Sequence, residues 1–275
     1  MLKLKLDFND RQLQAKLRKI IFKNGRLKCP HCGSFIIRKV KSEKRYYCKR
    51  CRKKFSVLSS SWLKNIKIPL AQFTVLLQLW LKGYGVAEAN ELTKLSIPTI
   101  RKYYGLFRLN IVKTVDFKAE NNVQVDEAYF GRFQKAGNYY HGWQTYPTPL
   151  KTCVAGIGCP ATGLLATKVI LGPKGKKIRK FINEKVSNDI CVYSDGSYIY
   201  TKLRERYRHI SQTHDLGFEN AYFIESCWSW MKRKLFKQYH HFHQKNAKKY
   251  VSELTWRFNT RKESKNVFDY IKTSL

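Results

Sequence analysis

The sequence predicts an α/β protein in which one mixed sheet is flanked by helices, preceded by a small cysteine-built module and a helical segment. Three observations predict it. Cys29, Cys32, Cys48 and Cys51 form a C-x2-C-x15-C-x2-C pattern near the start. Between about residues 61 and 115, apolar residues recur at helical spacing. From about residue 121, short apolar runs broken by Gly and Pro alternate with helical stretches.

Residues 1–25 mix apolar and basic residues at roughly helical spacing, and Asp10 is placed to cap a short helix. Residues 26–60 read as a zinc ribbon. Zinc takes four soft ligands at tetrahedral corners, and each C-x2-C knuckle supplies two from one tight turn. Pro30 and Gly33 are turn residues in the first knuckle, and the 15-residue gap lets a hairpin bring the second to it. One structural Zn2+ on Cys29, Cys32, Cys48 and Cys51 is expected. His31 is read as a surface residue. Cys153, Cys159, Cys191 and Cys227 sit in apolar surroundings and read as packed small hydrophobes.

Residues 61–118 form the helical segment. Pro69 opens a helix whose stripe is Leu70, Phe73, Leu76, Leu77, Trp80 and Leu81, and Gly83 and Gly85 stop it. A helix at 86–95 and another at 100–112, joined by a tight turn with the second one basic, make a helix-turn-helix-like pattern. In 119–275, strands are expected at 123–130, 152–158, 164–171, 190–193 and 209–213. Helices are expected at 177–187, 221–237 and 243–259.

Charge narrows the function. Lys plus Arg number 54 against 19 Asp plus Glu, a formal net charge of +35. Nucleic acid is the usual counterpart of such a surplus, with an anionic membrane surface as the competitor. No apolar stretch of about 18 residues argues for a spanning helix, and no signal peptide is apparent. A cytoplasmic, nucleoid-associated protein is expected (nuclear if the source is eukaryotic). On the ribbon, Arg50, Arg52 and Lys53 are candidate DNA contacts. On the helical segment, Thr99, Arg101, Lys102 and Arg108 are the candidates for phosphates or base edges.

Acids are scarce, so their placement is informative. Alternation along 123–130 puts Val123, Val125 and Glu127 on one face and Gln124, Asp126 and Ala128 on the other. Asp126 in a strand centre is costly to bury without partners or cations. Asp195 ends a second apolar run, just before Gly196. Glu225 opens a helical stretch, and Lys232, seven residues on, shares its face. Carboxylates at strand ends in so basic a chain suit hard cations held against phosphates. Glu127 reads as structural. His209, His214, His240, His241 and His243 read as packed or surface residues, and Trp228 and Trp230 as core. Residues 139–143 could touch DNA in a loop.

These residues resemble the ISXO2-like group of insertion-sequence transposases. The resemblance lies in Val125-Asp126-Glu127-Ala128-Tyr129-Phe130-Gly131, Tyr193-Ser194-Asp195-Gly196 and Ile224-Glu225-Ser226-Cys227-Trp228-Ser229-Trp230-Met231-Lys232-Arg233. Tyr239-His240-His241 and Leu254-Thr255-Trp256-Arg257-Phe258-Asn259 continue it, and the family's N-terminal zinc ribbon matches Cys29 to Cys51. It implies an RNase H-like catalytic domain of the DDE type at 119–275. Asp126, Asp195 and Glu225 would hold two Mg2+ or Mn2+ ions, about 3.5–4 Å apart. Lys232 would be the basic residue that follows, and Arg233 would grip phosphate. Implied partners are double-stranded DNA (terminal inverted repeats and target) and a second copy in a homodimeric synapse. Where family members often carry Asn, three residues before the Glu, this chain has Tyr222. Tyr is a poor magnesium ligand, which favours Glu225, with Asn220 a distant alternative.

The expected function is metal-dependent DNA cleavage and strand transfer at element ends. The alternatives are a zinc-ribbon DNA-binding regulator without catalysis, and an RNase H-like nuclease or resolvase that cuts and does not join.

Overall fold

The spacing of apolar residues builds two separate units in a computed structural model, Met1–Val112 with Ser264–Leu275, and Lys113–Glu263. The structure describes residues 10–22, 25–40, 42–43, 45–111, 117–131, 151–172, 174–212 and 221–275. The 139–143 loop, His214 and Asn220 lie outside the described residues.

In the first unit, helix α1 (Asp10–Ile21) starts at Asp10 and buries Leu13 and Leu17. Strands β1 (Ile37–Val40) and β2 (Arg45–Cys48) form the expected hairpin, with Ile37 opposite Cys48 and Val40 opposite Arg45. A two-residue strand, β3 (Lys54–Phe55), completes a three-stranded antiparallel sheet. Gly33 and Arg52 take positive φ, 72° and 58°, where each cysteine knuckle turns back on itself. In both, the backbone N–H accordingly donates to the first cysteine's carbonyl, at 2.9 Å.

Helix α2 (Leu70–Lys82) buries every residue of the expected stripe and ends at Gly83, whose φ of 89° only glycine adopts freely. Pro69 stands one residue before the helix rather than inside it. Helices α3 (Val86–Thr93) and α4 (Ile97–Leu109) follow, joined by a short turn in which Lys94 is left-handed. Helix α8 (Val267–Thr273) closes this unit. The sheet-bearing segment is expected to run to residue 275, whereas the compact unit that holds the sheet is Lys113–Glu263. Aromatic packing explains the difference. Tyr270 meets Trp80 with ring centroids 5.6 Å apart, and its hydroxyl donates to the Phe107 carbonyl at 2.6 Å.

In the second unit a five-stranded sheet has the order β6-β5-β4-β7-β8. Its strands are β4 (Val123–Phe130), β5 (Thr152–Cys159), β6 (Leu164–Ile170), β7 (Cys191–Asp195) and β8 (Arg208–Gln212). β4–β5 and β5–β6 are antiparallel; β4–β7 and β7–β8 are parallel. Helix α5 (Lys174–Lys185) and a 3-10 segment, Tyr198–Glu205, cover one face with Ile178, Phe181, Ile182, Ile199 and Leu203. Helices α6 (Tyr222–Tyr239) and α7 (Ala247–Asn259) cover the other with Ile224, Trp228, Met231, Leu254 and Phe258. Within that second layer Arg257 pairs with buried Glu253 at 2.7 Å, and the Tyr239 hydroxyl donates to the same carboxylate oxygen at 2.7 Å. The extra donor matters, because a buried ion pair without further hydrogen bonds is costly.

Candidate active site and zinc centre

The two aspartates become neighbours through strand register. In the parallel pair β4–β7, Gln124 lies opposite Tyr193. Asp126 and Asp195 each stand two residues further along, so they are level and on the same face. Asp195 Oδ1 accepts the Ser197 backbone N–H at 3.1 Å, which turns the chain away at the strand end. Asp126 is half-buried, and Trp228 Nε1 donates to its Oδ2 at 2.9 Å. Burial pushes the Asp126 carboxyl up to about 6, against hydrogen bonds from the Glu127 backbone and Trp228 and aided by the charges of Glu127 and Asp195.

That shift has a sign. A carboxyl raised on folding holds its proton in the folded state over a range where the unfolded chain has lost it. Stability therefore falls as pH rises through that range. Without divalent cations, the second unit should lose roughly 2–3 kcal/mol between pH 4 and 6 from this group. Asp126→Asn should remove that slope. Urea unfolding midpoints of both proteins across this range check it; parallel curves would count against a buried Asp126.

Helix α6 is fastened to the same strand. Gln124 is buried, and its Oε1 accepts the backbone N–H groups of Phe223 and Ile224, both at 3.0 Å. Two donors of the helix's first turn, which no helical carbonyl can satisfy, are met this way. The residues of β5 facing Gln124 and Asp126 are Gly158 and Gly156. A Cβ at Gly156 would lie 2.4 Å from the Trp228 ring, and one at Gly158 would lie 2.9 Å from Phe223. Both glycines therefore let the helix lie directly on the backbone of β5.

Glu225 follows in the first turn of α6, exposed, and Lys232 and Arg233 are exposed further along. The structure brings Asp126 and Asp195 together and sets Glu225 on the helix bound to their face. The three carboxylates do not all come within 4.8 Å of one another; among the described residues only the four cysteines form such a group. Glu127 points to the opposite face, as alternation requires, and takes the hydroxyl hydrogen of Tyr200. Burial first, and then the Glu127 charge, raise that phenol well above its usual range.

Gln124, Gly156 and Gly158 were not singled out from sequence. Trp228 was read as core; it is core and also a hydrogen-bond donor to the site. A Gly-x-Gly inside an apolar strand was the available signal, since interior strand glycines mark close approach of another group.

In the ribbon, the Sγ atoms of Cys29, Cys32, Cys48 and Cys51 all lie within 4.8 Å of one another. Cys29 and Cys51 are 3.6 Å apart and Cys32 and Cys48 3.5 Å. The Cys51 backbone N–H, with the Cys32 thiol and the Arg50 backbone N–H, draws the Cys48 thiol down to about 6. Such a set suits a tetrahedral zinc ion, and His31 stays exposed outside it. Arg50, Arg52 and Lys53 are exposed on the second knuckle.

On α4, Arg101 and Lys102 are exposed, and Thr99 is half-buried with its hydroxyl 2.8 Å from that of Ser96. Arg108 corrects an expectation. It is buried, and its position on α4 shares a face with buried Tyr104. His209 is 2.8 Å from the Ser194 hydroxyl, while His240, His241 and His243 are exposed. No helix among the described residues is long and apolar enough to cross a membrane.

Comparison with known proteins gives the family. The family model of the ISXO2-like transposase domain matches residues 118–259, and that of the transposase zinc-ribbon domain matches residues 8–54. No curated protein matches. Among solved structures, the chain is similar to one in a cryo-EM structure of the simian T-cell lymphotropic virus intasome in complex with PP2A regulatory subunit B56 gamma. That match has 10% identity and a TM-score of 0.34, over 66% of this chain and 67% of that one.

Proposed function

The chain belongs to the ISXO2-like transposase family, and on that premise we propose that it cleaves DNA at the ends of its element and joins the freed ends to target DNA. The observation that carries this reading is the level pair Asp126 and Asp195, with Asp126 half-buried beside a second carboxylate. Two carboxylates facing each other in a partly dry site fit a divalent cation, which neutralises both.

Asp126 and Asp195 would hold Mg2+ or Mn2+, with Glu225 the third acid. Two such ions would supply activation of the attacking oxygen and stabilisation of the leaving one. The chain's own residues do the rest. Gln124 keeps the first turn of α6, and hence Glu225, on the strand that carries Asp126. Lys232 and Arg233 offer cations to the phosphates beside the cut. Arg50, Arg52 and Lys53 on the ribbon, with Thr99, Arg101 and Lys102 on α4, take the duplex backbone, which positions without reading sequence. Double-stranded DNA is the partner, a homodimer the synaptic species, and the nucleoid, or a eukaryotic nucleus, the place of action.

A second reading, a DNA-binding regulator without catalysis, is favoured by one observation: the three carboxylates do not all come within 4.8 Å of one another. The deciding experiment incubates the full chain and Mg2+ or Mn2+ with DNA carrying the element's own ends and a target plasmid. Cleaved ends with free 3′-hydroxyls and joined products are expected. Tight binding without cleavage would establish the regulator, and cleavage without joining a nuclease or resolvase.

A further inference from the structure

The arrangement around Asp126 is more specific than a metal site requires. Trp228 is buried, with its indole laid over Gly156 so closely that one added carbon at that glycine would collide with it. Gly156 is the residue paired across the sheet with Asp126. The glycine thus fixes the height of the ring above the sheet, and the ring's single donor meets Asp126 Oδ2 at 2.9 Å. An indole N–H donates and cannot accept, so it holds a carboxylate oxygen in one sense only. Phe130 packs edge-on against the same ring, with centroids 6.1 Å apart, and closes another side.

We propose that Trp228 is a positioning residue of the metal site: its N–H occupies Oδ2 of Asp126 and presents Oδ1 to the cation. The inference rests on the reading of Asp126 as a metal-binding acid. It also joins the two halves of that site. Asp126 lies on β4 and Glu225 on α6, and the Trp228 bond ties the carboxylate of one element to the other three residues beyond Glu225. Together with the Gln124 cap, it fixes the helix to β4 at two points, one on either side of Glu225. Hydrogen bonds that orient metal ligands ordinarily change metal affinity about 10–100-fold when removed.

The test replaces Trp228 with benzothienylalanine, which keeps both fused rings and exchanges only the N–H for sulfur. Trp228→Phe is a second variant. Mn2+ binding to the zinc-loaded full chain, without DNA, is measured by electron paramagnetic resonance. Asp126→Asn serves as the reference, and thermal unfolding as the check on packing. The expected result for benzothienylalanine at 228 is Mn2+ affinity lower by about 10–100-fold, with an unfolding midpoint lowered by only about a few degrees, as the loss of one hydrogen bond requires. Wild-type affinity in this variant, with Asp126→Asn losing Mn2+, would overturn the positioning role alone. Equal Mn2+ binding by wild type and Asp126→Asn would overturn both that role and the metal-site reading.

Discussion

Asp195→Asn should lower Mg2+-dependent DNA cleavage by about a thousandfold and leave DNA binding unchanged. Lewis-acid stabilisation at a phosphoryl centre is worth several kcal/mol, and each ~1.4 kcal/mol is tenfold in rate. Asn keeps the shape of Asp and its acceptor for the Ser197 backbone N–H, so the turn after β7 should survive. It removes the charge that faces Asp126 across the β4–β7 register. Single-turnover cleavage of an end-bearing duplex, with binding measured in Ca2+, separates the two effects. Equal rates for the variant and the wild type would remove Asp195 from the chemistry and with it the two-aspartate site.

Cys48→Ser should release the zinc and unfold the ribbon while the second unit keeps its own melting transition. The cluster around the four cysteines contains Phe55, with Ile37 and Tyr46 only partly buried against it. Three short strands on so small an apolar core do not hold together unaided. Zinc supplies about 10–16 kcal/mol of apparent binding free energy in comparable modules. The loss should also show in DNA binding. Arg50, Arg52 and Lys53 ride on the second knuckle, and three lost phosphate contacts would flatten the salt dependence of log affinity by about 3. Zinc content by atomic absorption and a salt titration check both halves. Full zinc occupancy in the variant would mean that another ligand replaces Cys48.

Much of this was legible because its signals are local. The cysteine spacing, the α2 stripe and the alternation in 123–130 each depend on residues close in sequence, and each forms the expected element. The side of the strand to which Asp126 and Glu127 point follows from a period of two and needs no partner. What stayed hidden depends on distant pairing. Gln124 is an unremarked polar residue until α6 arrives about a hundred positions later and needs an acceptor. Gly156 has meaning only once Trp228 lies over it. Arg108 looked like a DNA contact because its type is basic, and only the packing of α4 shows it turned inward. Helix α8 is a single seven-residue element whose core lies in the other half of the chain.

That last helix makes the two units unequal in what they need from the chain's final residues. The sheet-bearing unit is complete without residues 264–275, whereas the unit holding the ribbon and helices α2 to α4 includes them. Without Tyr270 and Ile271, Trp80 and Phe107 would lack one wall of their core. Loss of residues 264–275 should therefore loosen the first unit and leave the sheet of the second intact.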